Sequence, residues 1–402
     1  MVNRDAVSSV GDCILFSTAD WDEPYWTNKQ HTACVLAEFG WRVLYIESVG
    51  LRTPKMNSNR DWSRLWQRLW RGLRSLILGA PARSQNIWVL SPLVIPAIHH
   101  KPLGRWFNRR LLQLAIGRFV RTYHFQQPLV WTYHPFMMNA IERFKHGPVV
   151  FHCVDDLAAV PGVNANVYYQ AEVELLRNCQ IIFVTAQSLK ERCEQYNPNT
   201  YYYPNVVDAA HFSEARRQGP LPADLEKICE PRLVYHGVLS DFKVDFELLL
   251  NAAKLRPDFQ WVFIGEEREG QQSEWISRLK ELSNTHFVGY RSYQRLPIYL
   301  RGMQVGLLPT LLNDYTRSMF PMKYFEYLAA GLPVVATPLA FTEQACNGLE
   351  TAGNSAEFVA AVERQLKRGR LTDDEADRFV ADNTWEGRTA NMLKQVQLLV
   401  AA

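Results

Sequence analysis

No stretch of this chain approaches the roughly 20 consecutive apolar residues that a bilayer-spanning helix requires, so no part of it reads as a transmembrane segment. The opening Met-Val-Asn-Arg-Asp leads into no signal-type apolar core, and a cytoplasmic location is expected. Cysteine is sparse and odd in number, seven among 402 residues, with no Cys-x-x-Cys pair. That pattern argues against a disulfide framework and a zinc site, and Cys13, Cys153 and Cys179 sit in or beside apolar runs, as reduced core residues do. No Gly-x-Gly-x-x-Gly follows the first candidate strand, which counts against a dinucleotide oxidoreductase. A Gly-x4-Gly-Lys-Ser/Thr is also missing, which counts against a P-loop nucleotidase. Acidic residues are scarce in one place: residues 50–125 hold 14 Lys/Arg and a single acid, Asp61.

What is present describes a folded protein of more than one core. At 402 residues the chain exceeds a single typical domain, and 47% hydrophobic content is ordinary. The net charge of +3 divides unevenly. Residues 1–212 carry 22 Lys/Arg against 16 Asp/Glu, and the remainder 22 against 25, so the first half is the basic one. Short apolar runs alternate with helical patterns throughout, the signature of parallel sheets covered by helices. Candidate strands in the first half are Cys13–Ser17, Val43–Ile46, Ile87–Leu90, Leu129–Thr132, Val149–Val154 and Ile181–Thr185. The second half offers Leu233–Tyr235, Trp261–Ile264, His286–Val288, Val305–Leu308 and Val334–Ala336. Between them Ser213 to Pro231 is polar and contains Gly219, Pro220 and Pro222, which suits a hinge. The expectation is an α/β protein of two Rossmann-like, doubly wound domains facing a cleft: 1–212, a hinge at 213–231, and 232–385, with 386–402 as a helix returning to the first domain.

Within the basic region, segment 60–78 places Trp62, Leu65, Trp66, Leu69, Trp70 and Leu73 at helical spacing, with Arg60, Arg64, Arg68, Arg71 and Arg74 opposite. Apolar and Trp side chains facing acyl chains, with arginines meeting anionic headgroups, is an interfacial-helix pattern. Expected membrane contacts are Trp62, Arg64, Trp66, Arg68, Trp70 and Arg71. The plain alternative is a helix docked on the sheet. No nucleic-acid-binding module accompanies the charge, so nucleic acid is not an expected partner.

The most informative stretch runs from Arg317 through Ser-Met-Phe-Pro-Met-Lys-Tyr-Phe-Glu-Tyr-Leu-Ala-Ala-Gly-Leu-Pro-Val-Val-Ala to Thr337. Pro321 suits the first turn of a helix that Gly331 and Pro333 close, and a buried strand follows. Free backbone N–H groups from Ser318 to Met322, at the positive dipole end, form an anion site to which Lys323 adds a full charge. Glu326, three residues on, shares a helix face with Lys323. A lysine for phosphate beside a carboxylate that accepts two hydroxyl hydrogen bonds suits a nucleotide diphosphate with its ribose.

This segment resembles the donor-binding signature of GT-B glycosyltransferases, notably glycosyltransferase family 4. Its Thr-Arg-Ser-x-x-Pro-x-Lys run at Thr316–Lys323 is similar to the teichuronic-acid-type and, more distantly, xanthan-type surface-polysaccharide transferases. The resemblance implies that Glu326 contacts the ribose; Ser318 stands where family 4 has a sugar-contacting glutamate. Tyr203-Pro-Asn-Val-Val-Asp-Ala-Ala-His-Phe212 resembles the element with which these enzymes leave their first domain. Tyr235-His-Gly-Val-Leu-Ser-Asp-Phe-Lys243 resembles their glycine loop, with Val238 in place of the usual arginine. Gly237 then admits a phosphate, Lys243 shares the diphosphate with Lys323, and Tyr290 and Arg291 line the nucleobase pocket, with Ser318 and Met322 completing the donor residues. Surface loop positions remain the alternative for Tyr290 and Arg291, and a solvated lysine for Lys243.

Val149-Val-Phe-His-Cys-Val-Asp-Asp156 ends a buried strand in two carboxylates. Asp155 or Asp156 is the candidate general base for an acceptor hydroxyl if the reaction inverts; the alternative is a helix N-cap. Asp20, Trp21 and His134 occupy corresponding strand ends and are candidate acceptor contacts, His134 equally a satisfied loop histidine. Neither metal nor cofactor is expected, since GT-B enzymes generally need no metal and no suitably spaced histidine sits beside the aspartate pair. The resemblance implies a glycosyltransferase that moves a sugar from a nucleotide-diphosphate sugar, with a UDP-sugar the leading candidate. Its acceptor is expected to be a lipid-linked saccharide in bacterial surface-polysaccharide assembly, at the inner face of the cytoplasmic membrane. A sugar-nucleotide 2-epimerase and a catalytically silent nucleotide-sugar-binding partner are the alternatives.

Overall fold

The computed structural model describes residues 10–48, 70–75, 79–93, 102–141, 144–267, 271, 273–343 and 347–401. The chain divides into two compact units, Met1–Pro204 with Glu386–Ala402, and Asn205–Trp385.

The first unit is built on strands β1 Asp12–Phe16, β2 Arg42–Ile46, β3 Ala82–Ser84, β4 Ile87–Leu90, β5 Leu129–Thr132, β6 Val149–Cys153, β7 Ile181–Val184 and β8 Thr200–Tyr202. They lie in the order β3-β4-β2-β1-β5-β6-β7-β8. All neighbours are parallel except β3 and β4. Successive side chains of a strand point to opposite faces, and along β1 they alternate between two cores: Ile14 and Phe16 in one, Cys13 and Leu15 in the other. Both faces are therefore covered, which is why these strands read as continuous apolar runs. The terminal helix Trp385–Ala401 contributes Met392, Leu393 and Val396 to the second of these cores.

The second unit carries β9 Arg232–His236, β10 Gln260–Ile264, β11 Thr285–Gly289, β12 Val305–Leu308, β13 Val334–Ala336 and β14 Leu349–Thr351. All are parallel, in the order β11-β10-β9-β12-β13-β14. Ser213 to Pro231, expected as a hinge, belongs instead to this unit. Its short helices and the turn that follows them place Ala215, Leu225 and Ile228 in the core, beside Phe212, so the boundary falls after Pro204 rather than after residue 212. Polar composition suggested a linker, but a few well-spaced apolar side chains are enough to anchor it.

In each sheet the strand order reverses beside the first strand, between β1 and β5 and between β9 and β12. Ligands of doubly wound sheets collect at the carboxyl ends of the strands flanking such a switch point. In the second unit that place receives the loop after β9 and the β12–β13 crossover, which contains helices Asp314–Arg317 and Met322–Ala329. Arg370 holds the far end of the latter helix, donating to the Ala330 carbonyl at 2.5 Å and to that of Met303 at 2.6 Å.

Candidate functional site

Pro321 occupies the cap position of the Met322–Ala329 helix, one residue ahead of the first turn expected for it. The N–H groups of Ser318 and Met319 close the preceding helix on the carbonyls of Tyr315 and Thr316. The Ser318 and Met319 amides are therefore not available to an anion, a correction that follows from two short helices standing where one was expected. Lys323 lies in the first turn. An ideal Cβ placed on Gly237 would stand 2.6 Å from its Cε and 2.9 Å from its Nζ, so the ammonium sits in the space that this glycine leaves at the end of β9. Gly237 has φ +111, which L side chains rarely adopt.

Glu326 is buried, not a solvent-face residue, at 7% exposure. Burial raises its pKa to about 7, with Lys323 pulling it down. Burial likewise lowers the pKa of Lys323, and Glu326 raises it. Glu326 Oε2 lies 3.2 Å from Nε2 of His236, whose own pKa burial and then Lys323 hold well below 6.5, so that ring is neutral. Among the described residues, neither the Glu326 carboxylate nor the Lys323 ammonium has a hydrogen-bond partner. Tyr327 fixes the helix that bears them. Its hydroxyl accepts from the His236 N–H at 3.2 Å and donates to the Val234 carbonyl at 3.1 Å. Its ring lies against Gly306, where an ideal Cβ would stand 2.5 Å from Tyr327 Cγ.

Lys243 is held rather than freely solvated: Nζ lies 3.0 Å from the Tyr315 hydroxyl and 4.5 Å from the centre of that ring. Asn313 Nδ2 donates to the Phe242 carbonyl, fastening this loop to the start of the crossover. Ser318 is buried at the end of helix Asp314–Arg317. After β11, Arg291 donates to Asp224 at 2.6 Å, to the Tyr299 hydroxyl and to the Tyr290 carbonyl. Its guanidinium thus braces the loop that presents Tyr290.

In the first unit the two aspartates separate. Asp156 caps the turn Leu157–Ala159, accepts from the Tyr169 hydroxyl at 3.1 Å and pairs with Arg192 at 2.8 Å. The capping alternative therefore describes Asp156, while Asp155 is partly exposed beside it. Arg192 also pairs with Glu172 at 3.3 Å, a buried acid whose pKa burial raises to about 7. Trp21 is buried, its N–H donating to Glu47, and Asp20 lies 3.5 Å from Arg71. His134 is buried and neutral, its pKa lowered by burial to about 4, and its Nδ1 accepts the Phe136 N–H. Trp62, Arg64, Trp66 and Arg68 lie outside the described residues; Trp70 is 66% exposed. No helix among the described residues is long and apolar enough to cross a membrane.

His236, Tyr315, Tyr327 and Gly265 belong to this site and were not picked out from the sequence. Only His236 carried a signal, its place immediately before Gly237 at a strand end.

Residues 230–368 match the family described as glycosyl transferases group 1. Over 227 residues the chain is 29% identical to TuaH of Bacillus subtilis (strain 168), named as a teichuronic acid biosynthesis glycosyltransferase; the match covers 54% of this chain and 56% of TuaH. The chain thus spans about half the length of that curated relative. Among solved structures, a glycosyltransferase from Rickettsia africae ESF-5 superposes with a TM-score of 0.67 at 12% identity, covering 97% of this chain and 99% of that one. Sucrose-phosphate synthase from Thermosynechococcus elongatus gives 0.65 at 17%, covering 97% and 99%. HepE of Anabaena, in complex with UDP and glucose, gives 0.59 at 15%, covering 97% and 98%. The chain therefore has the GT-B architecture of these structural neighbours, and within its second unit residues 230–368 are similar to the glycosyl transferases group 1 family.

Proposed function

We propose that the protein is a metal-independent glycosyltransferase that takes a hexose from a UDP-sugar in bacterial surface-polysaccharide assembly. The observation that carries this reading is the pair of charged groups at the switch point of the second unit. Glu326 is buried and Lys323 half-buried, one turn apart, and no described residue satisfies either by hydrogen bonding. Charge held away from water without hydrogen bonds is costly even beside a countercharge, and a nucleoside diphosphate offsets that cost at both ends. Its phosphate meets the ammonium and the first-turn amides, and its ribose hydroxyls donate to the carboxylate. Lys243 adds the second cation, and Tyr290 borders the base. UDP in the Anabaena neighbour and the teichuronic acid assignment of TuaH support the donor class and the pathway type.

The acceptor in this reading is a lipid-linked saccharide bound by the first unit at the inner face of the cytoplasmic membrane; of the expected contacts only the partly exposed Asp20 can reach it, since Trp21 and His134 are buried. Asp155 removes the proton of the attacking hydroxyl. Asp156 is committed to Arg192 and to its cap, which leaves the role to Asp155 in this reading. General-base removal costs about 10²- to 10⁴-fold in rate, so Asp155→Asn is expected to lose at least about 100-fold in turnover at unchanged UDP affinity. Asp156→Asn should instead lower stability by about 2 kcal/mol, the scale of a charged hydrogen bond. Equal turnover by Asp155→Asn and wild type would remove the base assignment.

Calorimetric titration with UDP, GDP and ADP, followed by product analysis with UDP-sugars in the presence and absence of a lipid-linked acceptor, tests the whole reading. Selective UDP binding with acceptor-dependent transfer is expected. An epimerised nucleotide sugar formed without acceptor would favour the epimerase alternative, and binding without turnover the silent partner.

A further inference from the structure

The helix Pro102–Thr122 carries five arginines and no acidic residue. Its inner face is fully used: Asn108, Leu112, Gln113, Ile116 and Phe119 are all buried. Phe119 packs edge-on against Trp88 and Phe125 and stacks on Tyr123, so the helix is fixed to its sheet. The opposite face is unusual. Phe107, Arg110, Leu114, Arg118 and Arg121 follow the i, i+3, i+7, i+11, i+14 spacing of one helical stripe. Phe107 is 42% and Leu114 61% exposed. Trp106, 49% exposed, borders the stripe with the Arg110 guanidinium 5.3 Å from its ring centre.

A solvated helix face ordinarily mixes both signs of charge and shows few large apolar side chains. Here apolar and aromatic groups alternate with cations of one sign only. We propose that this face of Pro102–Thr122 lies on an anionic lipid surface, with Trp106, Phe107 and Leu114 entering the headgroup–acyl boundary and Arg110, Arg118 and Arg121 meeting lipid phosphates. The occupant follows from charge complementarity and from the aromatic–arginine pairing, which suits an interface that is wet at one end and apolar at the other. The inference extends the proposed membrane location to a surface separate from segment 60–78, and it rests on no assignment of donor or acceptor.

Flotation of the full chain with vesicles tests it, using phosphatidylcholine alone and phosphatidylcholine mixed with an equal amount of phosphatidylglycerol. Wild type is expected to float with the mixed vesicles and not with the neutral ones. Each arginine near such a surface contributes about fivefold in partition, so reversing all three in Arg110→Glu/Arg118→Glu/Arg121→Glu should weaken binding by on the order of 100-fold or more. Trp106→Ser/Leu114→Ser should weaken it without changing its salt dependence. Melting temperature and UDP affinity, measured on the same variants, are expected to stay at wild-type values, which separates this face from the donor site. Binding of the triple variant equal to wild type, or no preference of wild type for the anionic vesicles, would overturn the proposal. So would binding to polyglutamate without binding to vesicles, which would assign the face to an acidic protein partner.

Discussion

Glu326→Gln is expected to raise the melting temperature at pH 8 while removing most of the affinity for UDP. The carboxyl has a folded-state pKa of about 7 against an ordinary value of 4.5, mainly because burial penalises its charge. An acid with a raised pKa holds its proton more tightly in the folded protein. Its contribution is therefore most favourable below pH 4.5 and is lost as the pH rises through 7. The difference is worth about 3 kcal/mol at 1.36 kcal/mol per pK unit. Glutamine stays neutral and escapes that cost, although Lys323 loses the countercharge that supports its own ionisation. A net gain of roughly 1–2 kcal/mol, or about 2–8 °C for a unit of this size, is expected at pH 8. At pH 5, where Glu326 is largely protonated in the folded state, most of the gain should disappear. Binding goes the other way. A carboxylate accepts both ribose hydroxyls, whereas an amide presents one oxygen and a donor, a loss of about 1.5–3 kcal/mol or 10- to 100-fold. Wild-type affinity should likewise fall as the pH drops from 8 to 6. Scanning calorimetry at the two pH values with UDP titration checks both halves. A variant no more stable than wild type at pH 8, with unchanged affinity, would show that Glu326 neither bears strain nor binds donor.

The same residue marks how far the sequence could be read. Lys323 and Glu326 were legible because helix start and stop signals are local, and their side chains share one face by spacing alone. Most strands were legible for a similar reason: strands buried on both faces read as apolar runs. The three that were missed, β3, β8 and β14, are three-residue strands at sheet edges. They carry too little buried surface to leave a hydrophobic signal. The domain boundary was misplaced because composition cannot distinguish a polar linker from a polar segment with Ala215, Leu225 and Ile228 tucked inward. Nor can a sequence say which of two adjacent aspartates caps a turn; the partners of Asp156, Tyr169 and Arg192, come from helices 13 and 36 residues further on. Tyr327 and Gly265 are invisible as site residues because their roles depend on which strands lie side by side.

Gly265 shows this dependence most sharply, and Gly265→Ala is expected to be among the most damaging single substitutions in the second unit. Gly265 follows β10 with φ +151, and an ideal Cβ there would stand 1.9 Å from the carbonyl oxygen of Gly237 and 2.9 Å from its carbonyl carbon. Both obstacles are backbone, so no rotamer change can relieve them. The loop after β9 must move away, straining the bond from the Gly237 N–H to the Ile264 carbonyl at 2.8 Å. Gly237→Ala differs in kind, because its new methyl meets only the flexible end of Lys323. That substitution should cost about 1–2 kcal/mol of backbone strain, keep the fold, and push the ammonium out of its seat. Gly265→Ala should cost on the order of 3 kcal/mol or more, since overpacking and backbone strain act together. UDP affinity should fall at least about tenfold in both, the scale of one charge-assisted hydrogen bond. Denaturant unfolding separates the two: the midpoint should fall far more for Gly265→Ala than for Gly237→Ala. If both variants unfold at the wild-type midpoint and bind UDP as before, the close approach of β9 and β10 does not shape the anion site, and the placement of Lys323 must be explained by the crossover helix alone.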